Sequence, residues 1–486
     1  MSSVKEETLR GVKWNAIERF SVQGIQFLLG LIMARLLSPS DYGTVAIVMI
    51  FTGFSQLFID SGFGSALVRK EKCSEADYST VFYFSFVVSL ICYAALFISA
   101  PWIAGYFGID ILTPIIRVQS LSMVLNALVT VQMAKLKRDV NFKAIAQRGL
   151  LSSLVSGIFG VACAFVGCGV WSLVIQSLLG TLINLLFVWN YCHWFPKWMY
   201  SWASFHEMFS YGSKLLAAGF IESLYGHLNT FVIGKFFSSK DLGFYNRGVH
   251  LAQFPVTNIN GVLQTVSFPV LAKIQKEKEH IVRVYRKYIK SSSLLIFFAC
   301  CMLATIAKPL ILIILSDKWA ESILYLQIFS FAIMFDHICS INVNLLLVIG
   351  RSDLNLRLNI IKKSISIAIL LASIPFGVIG ICCSKIIYTQ IAIYINTYYT
   401  GKLFHLGYKE QFKDYSGFFV LSVLSCLPAF LIITFCELPH IFGILIGLIL
   451  PSTIYILLMK KNPVFVEVAR TAGEKIPFLR KLTERL

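Results

Sequence analysis

The chain has 486 residues, 57% apolar and only 14% charged, with 43 Lys and Arg against 25 Asp and Glu for a formal net charge of +18. So few charged residues cannot cover a soluble protein of this length, which excludes a soluble enzyme or binding module and specifies an integral membrane protein. No basic cluster is interleaved with aromatic residues on a polar segment, so the positive excess does not read as a nucleic-acid surface.

Apolar runs long enough to cross a bilayer recur along the whole length, and about fourteen spans are predicted. They lie near 11–37, 41–63, 78–103, 113–134, 143–167, 169–194, 205–235, 241–271, 286–314, 319–349, 356–376, 377–400, 415–436 and 439–459. Met1 to Lys13 is polar and the first run continues as a full span, so no cleavable signal is expected. Alternate connections collect the cations: Arg69, Lys70 and Lys72; Lys135, Lys137, Arg138 and Lys143; Lys273 to Lys290; Arg351, Arg357, Lys362 and Lys363; Lys402, Lys409 and Lys413. With the termini included, roughly 32 of the 43 basic residues fall on one side and about five on the other, which predicts both ends in the cytoplasm. The segment 462–486 alternates apolar residues with Arg470, Lys475, Arg480, Lys481 and Arg485, and reads as an amphipathic cytoplasmic tail, either on the inner leaflet or solvated.

Two similar strings occur about 200 residues apart: Ala34-Arg35-Leu36-Leu37-Ser38-Pro39-Ser40-Asp41-Tyr42-Gly43, and Gly234-Lys235-Phe236-Phe237-Ser238-Ser239-Lys240-Asp241-Leu242-Gly243. Asp41 and Asp241 are each expected to open a helix, where a carboxylate can accept from free backbone N–H groups. Weaker echoes follow, Arg138-Asp139-Val140-Asn141 with Arg351-Ser352-Asp353-Leu354-Asn355, and Gly167-Cys168-Gly169-Val170 with Gly377-Val378-Ile379-Gly380. Each repeat therefore holds six spans, an even number, so the two enter the membrane from the same side as a parallel repeat. The expected organisation is an all-α membrane protein: a lobe at 1–200, a second at 201–405, two six-helix bundles flanking a central cavity, and two additional spans at 406–461.

These strings carry a resemblance. Together with Asp60-Ser61-Gly62-Phe63-Gly64-Ser65-Ala66-Leu67-Val68, Leu242-Gly243-Phe244-Tyr245-Asn246-Arg247 and Phe268-Pro269-Val270-Leu271, the first repeat string is similar to bacterial polysaccharide exporters. Those are the O-antigen, capsule and colanic-acid flippases of the multidrug/oligosaccharidyl-lipid/polysaccharide superfamily. The resemblance spans about 400 residues in order. It implies a MATE-like fold of twelve core helices plus two, in the bacterial inner membrane. It also implies translocation of an undecaprenyl-pyrophosphate-linked oligosaccharide for O-antigen, capsule or exopolysaccharide, alongside glycosyltransferases and a polysaccharide polymerase.

An anionic lipid-linked headgroup needs fixed positive charge at membrane depth. A cation at mid-helix costs about 2.5–3.5 kcal/mol even on the lenient insertion scale, so it should not face lipid unsupported. Asn15, Arg19 and Gln26 form a polar stripe on the first span with Glu18 beside Arg19, and Lys214, Glu222, Tyr225 and Asn229 repeat the idea on the seventh. With Arg247 and Lys385 these are the candidate substrate-binding residues. Arg19, Lys214, Arg247 and Lys385 have a second reading, as structural ion pairs with Glu18, Glu222 or another carboxylate. Arg148 is expected to snorkel to the cytoplasmic surface, Arg117 to anchor an outer helix end, and Arg35 and Lys235 to fix outer loops. Glu18, Asp60, Glu222 and Asp336 could bind a coupling H+ or Na+, or serve as counter-ions. Gly24, Gly30, Gly219, Gly226, Pro255, Gly261 and Pro269 are sites where bending is allowed, or simply where helices pack closely.

Enzymatic chemistry is not expected. The connections at 104–112, 236–240, 315–318 and 437–439 are too short for a catalytic loop, and neither the eight histidines nor the twelve cysteines show metal-ligand spacing, so no metal or other cofactor is expected. The rival reading is an ion-coupled multidrug or cation antiporter of the same superfamily, which would favour an acidic cavity over a basic one.

Overall fold

The computed structural model describes residues 21–139, 141–274, 277–436 and 438–475, and among them every regular element is helical. Among the described residues nine helical stretches are long and apolar enough to cross a membrane, ten if a pair bent by 42° is one span. Of the 18-residue apolar window in Trp171–Cys192 only 17% is buried, so the rest of that surface must be covered by hydrocarbon. The chain divides into two compact units, Met1–Gly243 and Phe244–Leu486.

The first unit contains α1 (Ser21–Leu36), α2 (Pro39–Asp60), α3 (Phe63–Arg69), α4 (Glu75–Phe107), α5 (Leu112–Gln119), α6 (Leu121–Ala127), α7 (Thr130–Arg138), α8 (Phe142–Phe165), α9 (Trp171–Cys192) and α10 (Trp202–Phe236). The first turn of α11 (Ser239–Lys273) also belongs to it. α10, the opening helix of the second repeat, packs against α2, α3 and α4. One end of the unit is held by aromatic side chains, with Phe63, Tyr78, Phe82 and Trp194 buried together and Phe84 and Phe205 against them.

The repeated string folds into two matching helix starts. Ser38 Oγ accepts from the Asp41 N–H at 3.2 Å while Asp41 Oδ2 accepts from the Ser38 N–H at 2.8 Å. Ser238 and Asp241 do the same at 3.0 and 3.1 Å. Each reciprocal box satisfies two donors that the first turn would otherwise leave open, worth about 1 kcal/mol. The two starts then cross. A Cβ on Gly43 would sit 1.8 Å from the Ser239 carbonyl oxygen, and one on Gly243 would sit 1.8 Å from the Pro39 carbonyl oxygen. The contact is reciprocal, each glycine lying on the other string's opening carbonyl, as in a two-fold interface. Ser40 Oγ and Ser239 Oγ close it at 3.0 Å.

The second unit continues α11 and adds α12 (Lys278–Ile314), α13 (Ser322–Ile333), α14 (Asp336–Val348), α15 (Ser352–Ser373), α16 (Gly377–Phe404), α17 (Tyr408–Phe435), α18 (His440–Met459) and α19 (Pro463–Lys475). The two helices after the repeat are integral to it, since α17 and α18 both pack on α12. A Cβ on Gly447 would lie 2.4 Å from Ile306, and the Tyr455 hydroxyl donates to the Leu294 carbonyl at 2.8 Å. Asp414, almost fully buried, is gripped by Arg286 through two bonds of 2.8 and 2.7 Å and by Lys290 at 3.2 Å. Asn342, Thr400 and Gln411 are fully buried and bonded to one another at 2.8 to 3.2 Å, joining α14, α16 and α17. Of the tail, α19 packs along α12, where Lys287 pairs with Glu467; residues 476–486 lie outside the described residues.

α10 is continuous through Gly219 and Gly226, and α11 through Pro255. Among the described residues the breaks fall instead at Ser61-Gly62, at Ser120, at Leu128-Val129 and at Met334-Phe335. Ser61 and Gly62 take left-handed φ values of 42° and 72°, which glycine adopts without strain.

Gly43→Ala should cost about 3 kcal/mol, at the top of the range for overpacking, because the obstacle is backbone and cannot rotate away. Gly30→Ala, with open space around it among the described residues, should leave the melting temperature of the purified protein unchanged or raised. Equal melting for both variants would refute the crossing. Gln411→Leu, which strands Asn342 and the Leu406 carbonyl, should lower stability by about 2 kcal/mol in thermal unfolding; a wild-type curve would show the network to be dispensable.

Candidate functional site

The first helices of the two repeats were expected to carry the polar stripes. Asn15, Glu18 and Arg19 lie outside the described residues. Gln26 on α1 is exposed, and its Nε2 donates to Ser153 Oγ of α8 at 3.3 Å. On α10, Lys214 and Glu222 are both exposed, while Tyr225 and Asn229 are half-buried one turn apart. Eight residues separate Lys214 from Glu222, about 12 Å along the axis, too far for an ion pair. Neither makes a hydrogen bond or ion pair among the described residues. Lys214 therefore does not take the paired reading with Glu222.

Lys235 meets the expectation of a loop anchor. Its ammonium donates to the Tyr106 carbonyl at 2.6 Å and lies 3.8 Å from that ring's centroid, pinning the end of α4. Arg117 similarly donates to the Phe97 carbonyl at 3.2 Å. At the other end of α4, Lys70 bridges Asp77 at 3.0 Å and Glu207 at 2.8 Å, joining α4 to α10. The hydrogen bond that it donates to the Glu207 carboxylate does most to hold that ammonium above the ordinary lysine range.

Asp60 closes α2 just before the left-handed turn, and α10 presses on the turn from outside: a Cβ on Gly212 would lie 2.2 Å from the Ser61 carbonyl oxygen. Asp60 Oδ1 lies beside Gly64, 3.2 Å from where a Cβ on that glycine would sit. It lines a cavity of about 600 Å³ inside the first unit, between α2, α3, α6, α7, α8 and α9. Arg69, Lys137 and Arg148 line the same cavity. Arg148 sits half-buried in the cavity wall, with Nη1 3.1 Å from Met133 Sδ. The sequence pattern places Lys137 in the charged connection. The signal that could have placed it is helical spacing, since Thr130, Met133, Ala134 and Lys137 share one face of α7.

The second unit treats its cations differently. Lys385 Nζ lies 3.6 Å from Asp336 Oδ2 and 5.2 Å from the Tyr388 ring centroid, so these two candidates are each other's counter-ions. Arg247 is half-buried on α11 with its guanidinium 5.8 Å from the ring centroid of fully buried Trp319. His337, beside Asp336, is fully buried with one ring nitrogen on the Met334 carbonyl at 2.7 Å and the other on Ser293 Oγ at 3.0 Å. Lys362, assigned to a cytoplasmic connection, lies ten residues inside α15 with its side chain buried. The dense run of Arg357, Lys362 and Lys363 hid it, because charge clusters mark connections only when the helix does not extend through them.

A family model described as polysaccharide biosynthesis protein matches residues 32–324, more than half of the chain. The teichuronic acid biosynthesis protein TuaB of Bacillus subtilis is 23% identical over 356 residues, which cover 73% of this chain and 74% of that protein. The lipopolysaccharide biosynthesis protein WzxC of Escherichia coli is 23% identical over 386 residues, 78% of each. Among solved structures, the lipid II flippase MurJ in an inward closed conformation superimposes with a TM-score of 0.68 at 16% identity, covering 92% of this chain and 99% of that one. An inward-facing multidrug resistance MATE transporter gives 0.58 at 14%, covering 76% and 93%. At such identities the structures establish the fold, and the family match establishes kinship: the chain belongs to the family of polysaccharide biosynthesis proteins, built on the membrane fold of MurJ and the MATE transporters.

Proposed function

We propose that the protein is a transporter and not an enzyme. In this reading it flips an undecaprenyl-pyrophosphate-linked oligosaccharide from the inner to the outer leaflet of the bacterial inner membrane by alternating access. It works with both termini cytoplasmic, downstream of glycosyltransferases and upstream of a polysaccharide polymerase. The observation that carries the reading is Lys214, an exposed ammonium twelve residues inside the 35-residue α10 with no carboxylate against it among the described residues. A cation held in that position is unfavourable by about 2.5–3.5 kcal/mol facing hydrocarbon, a cost that an anionic headgroup passing along the helix offsets. Membership of the polysaccharide family and relatives named for teichuronic acid and lipopolysaccharide biosynthesis point to the same class of cargo. Arg247, able to grip a phosphate with several donors, belongs with Lys214 in this role, as does Arg19. Gln26, Tyr225 and Asn229 supply hydrogen bonds to sugar hydroxyls.

Energy enters through H+ or Na+. Glu222 is the acid best suited to bind the ion, because it is exposed on the same helix and pairs with nothing described, whereas Asp336 already neutralises Lys385. A cation antiporter would instead depend on Glu222 for its cargo and be indifferent to Lys214.

Lys214→Gln and Arg247→Gln should each reduce surface polysaccharide at least tenfold in a complementation assay while membrane insertion stays normal; full export from both variants would retire the reading. In sealed vesicles, flipping should accelerate when a pH or Na+ gradient is imposed, and Glu222→Gln should lose that response. Flipping at one rate under every gradient would remove the ion from the mechanism.

A further inference from the structure

The connection between α9 and α10 takes no part in the site described above, yet it presents large aromatic side chains outward. α9 ends at His193, whose left-handed φ of 46° turns the chain out of the helix, and α10 begins at Trp202. The backbone between them is irregular but docked on the start of α4. The Lys197 N–H donates to Ser79 Oγ at 3.1 Å, the Ser201 N–H to Thr80 Oγ1 at 3.0 Å, and the Trp194 indole N–H to Glu75 Oε2 at 3.1 Å. Docking buries Trp194, whereas Phe195, Trp198 and Trp202 remain 65%, 95% and 66% exposed. Trp198 stacks on Tyr83 with ring centroids 5.6 Å apart and turns its other face outward.

What covers these rings is constrained from two sides. Contiguous aromatic surface on a docked segment is unfavourable in bulk water and marks a contact surface. The hydrocarbon core is excluded in its turn, because an irregular segment has backbone N–H and C=O groups outside any helix, and those need water or headgroups beside them. The headgroup layer meets both conditions, and it is where tryptophan and tyrosine collect. The surface is also continuous with one already given to lipid, since it begins where α9 ends and only 17% of the apolar window of that helix is buried. Depth agrees. α4, on which the segment docks at Ser79 and Thr80, carries the 72%-exposed Trp102 toward its other end. The helix from Thr80 to Trp102 rises about 33 Å, close to the thickness of a hydrocarbon core, so the two aromatic groups stand at opposite faces of one bilayer.

α10 has a particular need of such a fixture. At 35 residues it is about 52 Å long, far longer than the core, and it is not among the helices apolar enough to cross a membrane by composition. Hydropathy therefore does not fix which of its turns lie in hydrocarbon. Its first residue, Trp202, is one of the exposed rings, and Lys214 follows twelve residues later, about 18 Å along the axis and so near the middle of the core.

We propose that residues 195–202 are an interfacial anchor, a segment whose Phe195, Trp198 and Trp202 rings contact phospholipid in the headgroup layer, and that it sets the depth at which α10 crosses, holding Lys214 near mid-bilayer. The anchoring stands on the segment itself; its consequence for export rests on the transport reading above.

The test reconstitutes the full-length protein in phosphatidylcholine vesicles whose lipid is brominated either close to the headgroup or close to the chain ends. The emission lost in Trp198→Phe isolates that ring from the other tryptophans. It should be quenched at least twofold more by shallow bromines than by deep ones, and less by aqueous acrylamide than a free tryptophan amide is. Quenching by acrylamide without quenching by bromolipid would place the ring in water, open to a protein or glycan partner, and overturn the proposal; stronger quenching by deep bromines would overturn it as well. Trp198→Ser/Trp202→Ser should lower surface polysaccharide at least fivefold with normal membrane insertion, whereas Trp198→Tyr/Trp202→Tyr, which restores interfacial rings, should keep it. Equal export from the serine and tyrosine variants would overturn the claim on α10. The two readings fail separately. Shallow quenching in a protein that exports nothing sinks only the transport reading, and normal wild-type export with Trp198 open to water sinks only the anchor.

Discussion

The backbone crossing in the first unit, Gly43 on the Ser239 carbonyl and Gly243 on the Pro39 carbonyl, anchors much of what surrounds it. Neither position admits a Cβ, so the two helix starts are locked in one crossing, and their direction follows from the paired Ser-Asp caps. From that crossing α2 runs 22 residues, about 33 Å, to Asp60, where its left-handed turn meets Gly212 of α10 at a second backbone contact. Two glycine contacts at opposite ends of α2 therefore hold it against its neighbours. The break between α2 and α3, and the cavity behind it, are placed by those contacts.

Charge is then distributed according to whether it can be neutralised internally. In the second unit Asp414 and Asp336 each have a basic partner, and the polar cluster of Asn342, Thr400 and Gln411 is internally bonded. These groups add rigidity where α12, α14, α16 and α17 meet, because a satisfied polar group in a low-dielectric interior is costly to separate from its partner. In the first unit Lys214 on α10 stands apart from Glu222, and the cavity holds more cations than carboxylates.

The elements legible in the sequence were those governed by local rules. Apolar length marked the spans, because each crossing must satisfy its backbone internally, and the duplicated Ser-Pro-Ser-Asp-Tyr-Gly and Ser-Ser-Lys-Asp-Leu-Gly strings marked equivalent helix starts through cap chemistry that needs only four neighbouring residues. The Lys235 anchor was legible for the same reason, being part of that repeated start. Arg148, Lys137 and Lys362 were not. Their positions suggested interfacial charge, because one-dimensional reading assigns a cation near a predicted helix end to the water.

What the sequence by itself determined is thus the membrane class, the all-helical build, the duplication and the caps, all consequences of hydropathy and of contacts within a turn of the chain. What only the tertiary structure decided is which charges meet: Lys385 with Asp336, Arg286 with Asp414, and Arg69, Lys137 and Arg148 around one cavity with Asp60. Those partners are brought together across tens to more than a hundred positions of chain by helix breaks and glycine crossings. Electrostatic pairing depends on distance in space, which no local pattern encodes.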